Sequence, residues 1–316
     1  MPTDISDLVR KIEDPDVPLG PLRKKLKVDL SRSRAFAPAV VLDHEAAGIA
    51  PHVDVFTPSA GSISDGHVRR RQEKYRRKIA AGWDGLKFVA EGDSWFEYPV
   101  VLKDTIAWIE DEYAIFTVAE AGDTLTNMKL GIQNIINLIR REKSHGFLLS
   151  GGGNDFLEST KLTRLLRVFN PNFHTAQDYI IMHRFNESLA QVIAEYRAFF
   201  DALTAEFAML KLFCHGYDWV IPQFSGTYLW PVMEEREIPV ALRPKVTKLI
   251  VNFFNDALKQ LAGEERYGGR VVYVDCRGSI GNTASWFDEI HPRDAGFGRV
   301  AGRFRKAING AFAGVA

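Results

Sequence analysis

The chain has 316 residues, 46 % of them hydrophobic and 25 % charged, which excludes wholesale disorder and a fibrous repeat. Its 40 Lys and Arg balance 40 Asp and Glu, so no global field draws the molecule to nucleic acid or to an anionic membrane. The start, Met1-Pro2-Thr3-Asp4, lacks a basic segment followed by an apolar run, and no stretch approaches the roughly 18 apolar residues of a spanning helix. Neither a signal peptide nor a transmembrane segment is expected, which makes the cytoplasm the default location and leaves signal-less export open. Cys214 and Cys276 each close an apolar, strand-like run and are expected as buried free thiols.

Residues 1–85 differ in texture from the rest. Pro15, Pro18, Pro21, Pro38, Pro51 and Pro58 fall here, predicting a loop-rich N-terminal extension of unknown role rather than a helix bundle. Within it, Arg69 to Lys78 carries seven positive charges and one negative. A solvated helix face is the expected reading, with docking to an acidic partner or phosphate as the alternative.

From residue 86 to residue 316, short β-rich runs alternate with helical patterns. The predicted strands are 86–90, 114–119, 147–150, 208–214 and 271–275. Between them, Leu125, Met128, Ile132, Ile135 and Ile139 recur at helical spacing, as do Val192, Tyr196, Phe199 and Leu203, then Val246, Ile250, Phe253 and Leu261. A last helix is marked by Phe297, Val300, Phe304 and Ile308. Alternation of this kind predicts an α/β domain built on a doubly wound, five-stranded parallel sheet with helices on both faces. Two stretches exceed a minimal βα connection, 156–185 and 217–243. The second is dense in aromatics, and is expected either as a lid or binding wall or as a satellite core under a long loop.

Ligands of open parallel sheets gather at the carboxyl ends of the strands. The residues there are Gly92-Asp93-Ser94-Trp95, Glu120-Ala121-Gly122-Asp123, Gly151-Gly152-Gly153-Asn154-Asp155 and His215-Gly216-Tyr217-Asp218, with Asp288-Glu289-Ile290-His291-Pro292 before the last helix. A serine nucleophile needs a hydroxyl, an imidazole to take its proton and a carboxylate to fix the imidazole tautomer. Ser94, His291 and Asp288 can supply them, because Asp-x-x-His lets both side chains of one turn meet. Donors for a developing oxyanion are available from the Ser94 N–H, the Gly122 N–H, which no side chain shields, and the Asn154 amide.

Taken together, Gly92-Asp93-Ser94, Gly122, Gly152-Gly153-Asn154-Asp155 and Asp288-x-x-His291, in that order, resemble the four blocks of the SGNH, or GDSL-type, hydrolase superfamily. The resemblance covers residues 86–316 and implies a flavodoxin-like sheet of strand order 2-1-3-4-5. It also implies a serine esterase or lipase-like hydrolase of carboxylic esters, working without cofactor or metal through an acyl-enzyme on Ser94. Carbohydrate O-deacetylation and acyl transfer would use the same site. From a different class, a binding or assembly protein on a retired hydrolase scaffold is the alternative. Position 95 is Trp where the GDSL name has Leu, and the extension before residue 86 lies outside the resemblance. Trp95, His215 and Trp219 are candidate substrate-binding residues, although a hydrogen-bonded wall residue is the expected reading of His215. Asp93 and Asp155 are expected to fix turns. The glycines 151–153 lack the spacing of phosphate-binding loops. The expected partner is a small-molecule, lipid or carbohydrate ester; neither the ester nor the oligomeric state can be read from the residues.

Overall fold

A computed structural model describes residues 5–48 and 60–314; Pro51, Pro58 and the first four residues, used in the sequence reading, lie outside them. The N-terminal part opens with α1 (Ile5–Glu13) and α2 (Leu19–Arg23), then an antiparallel hairpin of β1 (Leu26–Val28) and β2 (Val40–Leu42) with Leu26 opposite Leu42. Turns fill much of 14–48. From residue 60, however, the chain forms a 21-residue helix, α3 (Ala60–Ala80). A small core of Leu8, Ile12, Leu22, Leu26, Val40, Leu42 and Ile63 closes on Val100 of the main body.

The basic run lies on α3, and only part of it is a solvated face. Arg69, Arg76 and Arg77 are exposed, whereas Arg70 and Arg71 are buried along the stripe Ile63, His67, Arg71 and Tyr75. Burial is tolerated because each guanidinium is paired. Arg70 donates to the carbonyls of Pro15 and Val17 at 3.0 and 2.9 Å. Arg71 donates to the Phe96 carbonyl at 2.7 Å, to Glu97 at 2.6 Å and to both oxygens of Asp104 at 2.7 Å. His67 meets the other Glu97 oxygen at 2.5 Å; burial pushes Glu97 up to about 7 and His67 down to about 3. Removing one partner of such a buried set costs about 3–5 kcal/mol, because the other charges stay behind unpaired. The network fixes 96–104, the segment that follows Ser94, onto α3.

The parallel sheet comprises β3 (Lys87–Gly92), β4 (Ala114–Thr117), β5 (Gly146–Ser150), β6 (Lys211–His215) and β7 (Val271–Val274) in the order β4-β3-β5-β6-β7. Counted from its own first strand this is 2-1-3-4-5, with a switch point between β3 and β5. The central strands are near-continuous apolar runs, as strands covered on both faces must be: Phe88, Val89 and Ala90, then Phe147, Leu148 and Leu149, then Leu212, Phe213 and Cys214 are all buried. β6 starts later than its apolar run because Met209, 86 % exposed, belongs to the turn before it. Both cysteines are free and buried.

Crossovers supply α4 (Thr105–Ile109), α5 (Leu125–Leu130), α6 (Ile132–Glu142), α7 (Gly153–Phe156), α8 (Ser159–Leu165), α9 (Met182–Glu206), α10 (Trp230–Glu235), α11 (Arg243–Ala262) and α12 (Asp294–Ala311). The stripe from Leu125 to Ile139 is two helices, broken at Gly131, which caps both. α9 packs with α5 and α11 to form one layer, and α12 packs on α4 in the other. Ala35, Phe36 and Tyr75 from the N-terminal part share the buried core of the sheet. Among the described residues no helix is long and apolar enough to cross a membrane.

Candidate active site

The chain leaves β3 through a tight turn in which the Asp93 carbonyl accepts from the N–H groups of Phe96 and Glu97, both at 2.9 Å. That turn aims Ser94 at the loop before α12. The Ser94 Oγ lies 2.8 Å from the Nε2 of His291, and the His291 Nδ1 lies 2.8 Å from the Oδ2 of Asp288. Asp288 is itself held, because its Oδ1 accepts from the N–H groups of Ile290 at 2.9 Å and His291 at 2.7 Å. The loop closes back on itself when the Phe287 N–H donates to the His291 carbonyl at 2.8 Å. The imidazole edge packs on Tyr98, at 4.9 Å between centroids and nearly perpendicular, and on Phe36 at 5.8 Å. Ser94 and His291 have no solvent exposure.

The three expected oxyanion donors sit on the turns after β3, β4 and β5. Gly122 has φ +91°, and a Cβ there would lie 2.6 Å from the Cβ of Ala37, so both conformation and space demand glycine. Asn154 opens α7 and donates one amide hydrogen to the Asp123 carbonyl at 2.7 Å, which leaves the second free and ties the Asn154 turn to the Gly122 turn. Among the described residues the N–H groups of Ser94 and Gly122 have no hydrogen-bond partner.

The chain is similar in structure to solved GDSL-like lipases. A lipase from a goat rumen metagenome matches at 15 % identity and a TM-score of 0.49, covering 71 % of this chain and 97 % of that one. A GDSL-like lipase from Bacteroides thetaiotaomicron matches at 14 % identity and a TM-score of 0.45, over 75 % and 98 %. A carbohydrate esterase family 3 from Talaromyces cellulolyticus matches at 16 % identity and a TM-score of 0.43, over 72 % and 99 %. No protein-family model and no curated protein matches the sequence.

The candidate substrate-binding residues lie elsewhere than expected. Trp95 is fully buried, its Nε1 donating to the Ile290 carbonyl at 3.2 Å, because the residue after Ser94 points back into the sheet rather than outward. His215 is also fully buried, with Nδ1 2.7 Å from the Gly216 carbonyl and Nε2 2.8 Å from the Ser150 Oγ. Trp219 is half-buried, donates to Asn252 at 2.8 Å and carries the Lys248 ammonium over its ring. None of the three lines the cavity beside Gly122 and Asn154. That cavity, of about 540 Å³, is walled by Arg34, Ala35 and Ala37 from the N-terminal part and reaches Thr124 and Lys161. There it adjoins a second cavity of about 600 Å³ whose walls include Asp155, Arg164, Arg184 and Gln191.

Asp93 ties turns together: its Oδ1 accepts from the Trp95 N–H at 3.0 Å and the Ser150 hydroxyl at 2.9 Å, and its Oδ2 from the Tyr217 hydroxyl. Tyr217 in turn accepts from the Gly153 N–H at 2.9 Å. Burial pushes Asp155 up to about 6 beside Lys161, in the cavity wall. The aromatic segment 217–243 is not a satellite: Tyr217, Tyr228, Leu229 and Met233 join the main core, while Phe224 is exposed. The segment is pinned by Glu289, whose carboxylate accepts from the N–H groups of Tyr228, Leu229, Trp230 and Gln223 at 2.6, 2.9, 2.8 and 3.2 Å. Sequence reasoning passed over Glu289, Tyr217 and Phe36. Arg71 alone had a signal, the four-residue spacing of Ile63, His67, Arg71 and Tyr75, masked by the surrounding charge. Among the described residues no cluster of His, Cys, Asp or Glu is arranged to hold a metal ion.

Proposed function

We propose that the chain is a serine hydrolase of the SGNH type that cleaves carboxylic esters through an acyl-enzyme on Ser94. The observation that carries this reading is the hydrogen-bonded series Asp288–His291–Ser94, ending at a serine whose own N–H, like that of Gly122 on the next strand's turn, is unpaired among the described residues. In this mechanism the Ser94 Oγ attacks the ester carbonyl carbon while its proton passes to the His291 Nε2. The carbonyl oxygen, now an anion, is met by the N–H groups of Ser94 and Gly122 and by the free amide hydrogen of Asn154. Collapse breaks the bond to the alcohol oxygen, which leaves with the proton from His291. Water then repeats the sequence on the acyl-enzyme. Asp288 holds Nδ1 protonated and stabilises the imidazolium while it exists.

A second reading concerns the alcohol. The walls of the adjoining cavities are mostly Thr, Asn, Lys, Arg, Gln and acidic side chains, with Leu165 and Val192 the larger apolar ones, which favours a polar, hydroxyl-rich alcohol such as a sugar over a lipid. Intact-mass analysis after fluorophosphonate treatment tests the nucleophile: one adduct is expected on the wild type and none on Ser94→Ala, and no adduct on folded wild type would sink the reading. Acetylated sugars compared with acylglycerols test the alcohol. Faster turnover of acylglycerols would reverse the second reading and leave the first intact.

A further inference from the structure

Ser94 and His291 are fully buried and do not line the cavity that contains Gly122 and Asn154. Phe36 packs on the histidine that meets Ser94 and on the turn that opens α7. Its ring stands 5.8 Å from His291 and 5.3 Å from Tyr217, and it lies so close over Gly153 that a Cβ there would fall 2.5 Å from it. The same turn, through Arg34, Ala35 and Ala37, lines the cavity, so one short segment both borders the cavity and packs on His291.

Three features set this turn apart from the packed core. Phe36 has φ +59°, a left-handed conformation that is unfavourable for an aromatic residue and that marks stored strain. Among the described residues, the hydrogen bonds of 34–37 are internal: the Arg34 N–H donates to the Ala37 carbonyl at 3.1 Å and the Ala37 N–H to the Arg34 carbonyl at 3.0 Å. The flanks, in contrast, are fastened to each other, with the Ala39 N–H donating to the Ser33 Oγ at 2.9 Å and the Asp29 N–H to the Ala39 carbonyl at 2.8 Å. The turn therefore meets the site by packing, with its backbone close to Gly122, and can swing as a unit on anchored posts without breaking a hydrogen bond to the body.

We propose that the turn Arg34–Ala37 is a gate over the active site and Phe36 its plug: substrate reaches Ser94 only when the ring leaves its place among His291, Tyr217 and Gly153. This rests on the reading of Ser94 as the nucleophile. It gives the N-terminal part a role in that reaction, since the open form joins the 540 Å³ cavity to the serine. A closed form that is the main population lowers the apparent reactivity of the serine by the fraction open.

The test is the second-order rate of Ser94 labelling by a fluorophosphonate, followed by intact mass, in the wild type, Phe36→Ala and Phe36→Leu, each checked for thermal stability. Phe36→Ala is expected to label about tenfold faster or more, the gain available when a form populated at roughly a tenth becomes the main one, with Phe36→Leu between. A folded Phe36→Ala that labels at the wild-type rate overturns the gate while leaving the nucleophile in place. Absence of labelling in every variant overturns the reading of Ser94, and the gate with it. Should Phe36→Ala fail to fold, a folded Phe36→Leu decides: labelling faster than the wild type is expected, and labelling at the wild-type rate overturns the proposal.

Discussion

Two regions behind the same strand ends each assemble a serine, a histidine and an aspartate, and they differ in the order of connection. In one, Asp288 faces the Nδ1 of His291 and the Nε2 faces Ser94. In the other, the Nε2 of His215 faces Ser150, Ser150 donates to Asp93, and the Nδ1 of His215 lies against the Gly216 carbonyl. The carboxylate thus sits on the imidazole in the first and on the serine in the second. Only the first arrangement stabilises the imidazolium that forms when the serine gives up its proton. The second ring is also stacked on Phe96 at 5.5 Å in the core, and burial pushes its pKa down to about 4. Residue types alone do not make a relay; the order of the hydrogen bonds does.

The largest effect that could break this contrast is on the serines. Ser94→Ala is expected to lower kcat on the order of 10⁶-fold, as loss of the nucleophile does in enzymes of this mechanism, with thermal stability little changed. Ser150→Ala should do the reverse. It removes a donor from Asp93 and the partner of His215, destabilising the fold by about 1–3 kcal/mol while fluorophosphonate labelling persists. A Ser150→Ala protein that is folded and unlabelled would reverse the assignment of the two sets.

The aspartates separate next. Asp288→Asn keeps an oxygen for the N–H groups of Ile290 and His291 but loses the charge on His291, so kcat should fall by about 10⁴ with the melting temperature preserved. Asp93→Asn places an amide N–H among three donors, from Trp95, Ser150 and Tyr217, and should show first as a loss of stability in thermal melts. Equal kcat losses in the two variants, with both proteins equally stable, would erase the distinction between a relay carboxylate and a turn-fixing one.

How much of this could be read from the residues follows from the range of each contact. The five strands are apolar runs between turn residues, a local signal, and Ser94, Gly122, Asn154 and the Asp288–His291 pair fall at their ends because the topology places every strand's carboxyl end on one side. Trp95 misled because one-dimensional adjacency to a strand end does not say which face a side chain takes, whereas His215 takes the hydrogen-bonded reading favoured for it. The residue after Ser94 turns inward, and His215 is the last residue of β6, still inside the pleat. Phe36 had no signal at all. Its meeting with His291 joins segments 255 positions apart, and the pattern around it, Ser33-Arg34-Ala35-Phe36-Ala37-Pro38, is that of any turn. Arg71 was hidden for another reason, since buried and solvated arginines of one helix look alike until their partners, here Glu97 and Asp104, are placed.

The last test probes the buried imidazole of His215 by pH. His215 is neutral in the fold down to about pH 4, whereas an unfolded histidine titrates near 6.5. Between those values the unfolded chain binds more protons, so stability from this group is complete above about pH 6.5 and is lost as pH falls toward 4. Glu97 and Asp155, raised to about 7 and about 6, act with the opposite sign, because there the folded form holds the proton and stability declines as pH rises through the same window. Wild-type melting curves therefore mix the two signs, and the informative quantity is a difference. His215→Asn cannot charge, so its stability relative to wild type should improve as pH drops from 7 to 4, by on the order of 3 kcal/mol at most. Melting of both proteins at pH 7, 5.5 and 4 measures this. A constant gap between them would mean that His215 is solvated enough to protonate in place, against its burial between Phe96 and Ser150.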